Sequence, residues 1–346
     1  MKFGFTAVVS ATLLGATLAR RPDFNLSGYA TLAGGTTGGA GGTVTNVTTR
    51  DELLAAVKGH SPKIIYVLGN VGGSTTTRMS VGNNTQVSTT ERITLPLKLL
   101  HRSIIGVGDS AIIEGGGFSI NKASNVIIRN LIIRKVVNND GITVLQSNNV
   151  WIDHNEFYSD TEHGFDYYDG QVDITLGSDY VTLSWNKFHD HYKSSLIGSS
   201  EKNGAQDTGH FKITYHHNSW NNVHTRTPAL RFGTVHLYNN LVENVVSQGI
   251  HTRSYGQALV QANVFQNVTE PISTYGFVIP DDSPIDPNGD YEPDGFANES
   301  NNLYINSGKN NITQIGNFTS VPYSFKADSP YLVKAMVEKY SGVGNI

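Results

Sequence analysis

The 346-residue sequence contains no cysteine, which excludes disulfides and thiolate metal sites. Charged residues are sparse, at 16%, and the formal net charge is only −4. A generally basic surface is therefore absent, and non-specific nucleic-acid binding is not expected. An anionic ligand is not excluded, because it needs only a local basic groove. After the N-terminal segment no stretch is long and apolar enough to span a membrane as a helix. The glycine-rich run at residues 28–42 is not followed by a lysine in P-loop spacing, so a phosphate cradle is a poor reading of it. His154, His189, His191, His216 and His217 include no helical His-x-x-x-His pair. Hydrogen-bonding roles in the core or at turns are expected for most of them, rather than a zinc site.

What is present is a recurring strand-like phrase with an asparagine near its end. The phrases close at Asn130, Asn155, Asn186, Asn218, Asn240 and Asn263, at intervals of 25, 31, 32, 22 and 23 residues. Intervals of that size mark a solenoid. Each phrase is short, β-branched and alternately apolar, as in a half-buried strand. One strand per turn, stacked, builds a parallel β-helix, in which equivalent asparagines can hydrogen-bond into a ladder. An unbroken repeat implies one elongated domain with a continuous core.

The rest of the chain fits around that solenoid. Residues 1–19 have one charge, Lys2, ahead of a small apolar stretch ending at Ala19, and read as a secretory signal. The remaining domain is then 20–346, secreted and extracellular. Several Asn-x-Ser/Thr sequons, among them Asn267 and Asn311, permit glycosylation. Residues 28–42 read as a lead-in loop. Asp51 and the following ELLAAV suggest a short capped helix that covers the open first turn. Residues 271–300, rich in Pro, Asp and Gly, read as a long excursion. Within it Asp286, Asn288 and Asp290 have the alternate spacing of a calcium loop, but Tyr291 stands where glycine is expected and no glutamate closes it, which favours a surface turn. The tail SPYLVKAMVEKY reads as a helix packed on the side of the solenoid.

Acidic residues fall on consecutive turns: Asp140, then Asp153, then Asp169 and Asp173. Carboxylates brought together by stacking repel one another unless a cation joins them, and a hard cation such as Ca²⁺ suits oxygen ligands. The alternative is that each aspartate caps its own turn. On the following repeats lie Lys193, Arg226 and Arg231, the two arginines flanking Pro228. Guanidinium forks pair with carboxylates and lysine supplies a point charge. Together these describe a cleft that grips an acidic polymer; the bland alternative is a set of weak surface ion pairs.

These phrases, in this order, resemble the pectate lyases of polysaccharide lyase family 1, close to the fungal secreted members. The resemblance runs from GYATLAGGTTGGAGG through NNVWIDHNEF and GQVDITLGSDYVTLSWNKF to HYKSSLIG, RTPALRFG and VHLYNNLVENV. It implies an all-β, right-handed parallel β-helix and a monomeric enzyme that cleaves polygalacturonate by Ca²⁺-dependent β-elimination. By motif, it implies that Asp140, Asp169 and Asp173 bind calcium and that Asp153 supports the site. Arg226 matches the general base, and Lys193 and Arg231 match the groups that hold the uronate carboxylate. Asn138 stands where some bacterial members carry another acid, so one ligand is neutral or missing here.

Related folds offer two rivals. Pectin lyases resemble this chain but carry arginine at the Asp173 position and line the cleft with tryptophan, of which this sequence has three. Polygalacturonases share the fold, but their paired aspartates and Gly-His-Gly phrase are not found here. A non-catalytic polyuronate-binding module is the reading from another class, and the joint presence of Lys193, Arg226 and Arg231 weighs against it.

Overall fold

The computed structural model describes residues 21–72, 93–95, 101–278 and 289–346. The secretory signal expected at residues 1–19, together with Asp286 and Asn288, lies outside the described residues.

The chain coils into a parallel β-helix with three faces. Among the described residues the first face has ten parallel strands, running from Thr43–Val47 through Ser124–Arg129, Asn148–Asp153, Asp179–Ser184 and Lys212–His216 to Phe296–Ser300. The second face includes Ile132–Arg134, Glu156–Tyr158, Lys187–Lys193 and Ser219–Thr225. The third includes Phe118–Asn121, Ile142–Leu145, Val172–Thr175, Leu196–Ile197 and Ala229–Arg231. Leu241–Arg253 is long enough to serve the second face with its first half and the third with its second, pairing with Ser219–Thr225 and then Ala229–Arg231.

Alternation along each strand aims every second side chain inward. Val150 and Ile152 stack on Val126 and Ile128 below and on Val181 and Leu183 above, all fully buried. Phe157, Phe188 and Trp220 form a continuous ring stack, with centroids 5.0 and 5.1 Å apart. One apolar cluster runs from Val47 to Ala297 and includes Leu53 and Leu54 of the helix Arg50–Ala56. That helix is where the sequence placed it, but its cap is Thr49 rather than Asp51. The Thr49 hydroxyl accepts from Glu52 N, and the Glu52 carboxylate returns to the Thr49 amide, satisfying two donors that a helix start leaves open.

The asparagine ladder exists with one correction at each end. Asn155, Asn186, Asn218, Asn240 and Asn263 each donate through Nδ2 to the Oδ1 of the next, at 2.9–3.1 Å, and Asn302 completes the series. Asn130 is not a rung. Asp153 pairs with Arg129, so Asn155 lies level with Leu131, whose amide it accepts. Asn130 occupies the preceding bend position at φ 59°, shared on later coils by His154, Trp185, His217, Asn239, Ala262 and Asn301. Asparagine tolerates left-handed backbone, so either position can select it.

The helix Pro330–Tyr340 packs Val333 and Val337 on Leu241 and Val264, as the sequence implied. The excursion is shorter than expected, because Val264–Ser273 and Phe296–Ser300 are regular strands. Asp290 lies in a short antiparallel ribbon with Phe277–Val278 and is exposed.

Candidate active site

The corner between the second and third faces gathers most of the singled-out residues. Asp173 lies in the strand Val172–Thr175, level with Thr143 on the coil before. The Thr143 hydroxyl donates to Asp140 Oδ2, and the Gly170 amide donates to Asp140 Oδ1 at 3.0 Å. Asp173 Oδ1 accepts from Leu196 N at 3.0 Å. Gly170 is the contact point: a Cβ there would lie 2.4 Å from Asp173 Oδ1 and 3.1 Å from Asp140 Oδ1. Only glycine lets the two carboxylates approach so closely.

Asp140 and Asp173 are both buried. Burial, then the Asp140 charge, push the Asp173 carboxyl well above its usual range; Arg226 opposes this and Asp169 adds to it. Arg226 and Asp169 therefore both act on Asp173, as stacking implied. Asp169 is half exposed and faces Lys193 Nζ at 3.5 Å. Among the described residues no three Asp, Glu, His or Cys side chains close into a ligand set. The donor chemistry still fits a hard cation: two converging buried carboxylates, one of them, Asp173, raised by burial and then by the other's charge, with a third nearby.

The cations follow on the next coils. Lys193 ends its strand level with Thr225, immediately before Arg226. Its ammonium is buried, bonds Asp166 and lies 5.2 Å from the Phe165 ring centroid. Arg226 is half-buried in the left-handed region at φ 67°, ahead of a cis Thr227–Pro228 bond. Arg231 ends the strand Ala229–Arg231, and its guanidinium is already engaged. Nε and Nη2 donate to Glu292 at 2.8 and 2.5 Å, and Nη1 donates to Gly198 O at 2.8 Å.

Asp153 stands apart on the first face. It is fully buried and held by Arg129 Nε at 2.5 Å, Ser184 Oγ at 2.5 Å and His154 Nδ1 at 2.7 Å. Asn138 is exposed on the loop leading to Asp140, and its amide donates to Tyr167 O at 2.9 Å. The histidines have hydrogen-bond roles: His189 bonds Glu156 and Asp190, and His217 bonds Asp328. Sequence reasoning missed Asp166, Gly170 and Glu292. Gly170 sits within the acidic phrase and was visible there; Asp166 and Glu292 belong to excursions that carry no repeat signal.

A family model described as pectate lyase matches residues 1–346. "Probable pectate lyase A" of Neosartorya fischeri is 41% identical over 326 residues, covering 93% of this chain and 89% of the relative. "Pectate lyase A" of Aspergillus niger is 40% identical over 342 residues, covering 98% and 94%. A Bacillus sp. N165 pectate lyase crystallised in complex with trigalacturonate superposes with a TM-score of 0.74 and 32% identity, covering 92% of this chain and 99% of that one.

Proposed function

The chain belongs to the pectate lyase family, and from that premise we propose that it cleaves pectate outside the cell by Ca²⁺-dependent β-elimination. Residues 20–346 form the catalytic domain, released after a secretory signal at 1–19 and acting as a monomer. The observation that carries the reading is the convergence of Asp140 and Asp173 over Gly170, with Lys193 and Arg226 on the coils that follow.

Asp140, Asp169 and Asp173 would hold Ca²⁺, whose charge would help bind the uronate carboxylate and offset charge developing on it. Lys193 and Arg231 supply the protein's own cations to that carboxylate. The proton removed is the one on C5, α to the carboxylate, and Arg226 is the side chain assigned to take it. The C5–H electron pair becomes the C4–C5 double bond while the C4–O4 bond breaks. O4 leaves with the released chain and takes up a proton. The charge peaks after the ground state, so fixed cations accelerate the step by holding the transition state more tightly than the substrate. Arginine ordinarily keeps its proton, so a reaction with Arg226 as base is expected to run fastest in alkaline solution.

Ultraviolet absorbance of unsaturated product from polygalacturonate, with Ca²⁺ and then with chelator, tests the reading against highly methylated pectin. Product that needs Ca²⁺ supports it. Chelator-resistant activity confined to methylated pectin would make the protein a pectin lyase, and binding without product would make it a binding module.

A further inference from the structure

Glu292 is delivered to the site by the ribbon of Phe277–Val278 against Asp290–Tyr291 and is pinned there by its own amide, which donates to Gly276 O at 2.9 Å. Its side chain is only 7% exposed. The carboxylate takes Arg231 Nε and Nη2, takes the Ser254 hydroxyl at 2.6 Å and lies 3.3 Å from Arg253 Nε. Arg231 and Arg253 are register partners on adjacent coils, and one carboxylate serves both guanidiniums. Burial, then the Arg253 charge, hold His251 beside them down at about 3, so it is neutral. The cluster of Arg231, Arg253 and Glu292 keeps one net positive charge.

A guanidinium has five N–H groups. Glu292 takes one from Nε and one from Nη2 of Arg231, and Gly198 O takes one from Nη1. Among the described residues two remain without a partner, one on each terminal nitrogen, as many as the two oxygens of a carboxylate accept. We propose that Glu292 is the positioning residue for uronate recognition: it holds Arg231 by one edge and leaves its remaining N–H pair for the substrate carboxylate. The inference rests on the reading that Arg231 binds that carboxylate.

The test compares Glu292→Gln, Glu292→Asp, Ser254→Ala, Arg231→Ala and the Arg231→Ala/Glu292→Gln double variant. Each is assayed in Ca²⁺ on polygalacturonate and on partly methyl-esterified pectin, with a melting curve. Glu292→Gln is expected to lose on the order of tenfold in kcat/KM on polygalacturonate, as a slightly misplaced contact does, and clearly less on the esterified polymer. Glu292→Asp should recover part of that loss. Ser254→Ala, which retains every charge, should show a smaller loss with the same substrate bias. The double variant should be no worse than Arg231→Ala alone. Equal losses on both polymers, tracking the melting temperature, or no loss at all in Glu292→Gln, would overturn the assignment. Full polygalacturonate activity in Arg231→Ala would instead remove the role of Arg231 itself, a distinct signature.

Discussion

Asp140 and Asp173 reach toward each other from neighbouring coils across Gly170, which has no side chain to interpose. The closeness of two like charges in a buried place is unfavourable by itself. It persists because the strands above and below fix the backbone, and because Thr143, Gly170 and Leu196 each donate a hydrogen bond to one of the pair.

Replacing Asp173 by Asn should therefore act in opposite directions on stability and activity. In chelator the variant should melt at a higher temperature than the wild type, since one buried charge is gone. With Ca²⁺ the wild type should gain stability and the variant little. Polygalacturonate cleavage should drop by at least about 100-fold, the loss expected when a group stabilising the transition state is removed. Paired melting curves with and without Ca²⁺, plus the absorbance assay, check this.

Gly170→Ala should separate the carboxylates without altering any charge. The added methyl would meet Asp173 Oδ1 at 2.4 Å, so the side chains must move apart. A loss on the order of 100-fold in kcat/KM is expected from displacement of this size. The apparent Ca²⁺ requirement should rise in titrations of activity against metal concentration.

The ladder should be weakest at its end. Asn218 is fully buried and engages Asn186, Leu183 O and Asn240. Its replacement by Ala leaves several buried groups unpaired, at about 1–3 kcal/mol each. Asn302 is part-exposed at the last rung, and Asn302→Ala should cost clearly less because water can replace the lost partner. Urea unfolding of both variants gives the comparison.

His189 should give the protein a pH-dependent increment of stability. Burial pulls its imidazole down, but hydrogen bonds to Glu156 and Asp190 outweigh this and raise it above 6.5. A group raised in the folded state stabilises fully below its unfolded value, and the benefit is lost as pH climbs through the folded value. The melting-temperature gap between wild type and His189→Gln should be widest near pH 5 and close toward pH 9.

Much of this was legible in the sequence because the solenoid repeats its instructions. Alternating apolar residues and a returning asparagine define strand and bend on every coil, so the core and most of the ladder could be read directly. The phase at Asn130 could not, since bend and rung lie side by side and asparagine suits both. The carboxylate pair and Lys193 were visible for a related reason: their distance along the chain equals about one coil. Asp153 shows where that logic stops. It follows Asp140 by 13 residues and precedes Asp169 by 16, about half a coil each way, which places it on another face. Glu292 was hidden because it returns from an excursion whose length has no relation to the repeat.

The stacking of strands also fixes a scale for the reactive corner. Ile142–Leu145, Val172–Thr175, Leu196–Ile197 and Ala229–Arg231 are successive neighbours, and adjacent strands sit about 4.8 Å apart. The anionic end and the Arg231 end are thus three steps distant, about 14 Å on that spacing. The span is quantised: side-chain changes adjust it by fractions of an ångström, whereas losing or gaining a coil shifts it by a whole step. Lengthening an excursion leaves that spacing untouched, so the molecule can vary its outline freely while its gauge stays constant.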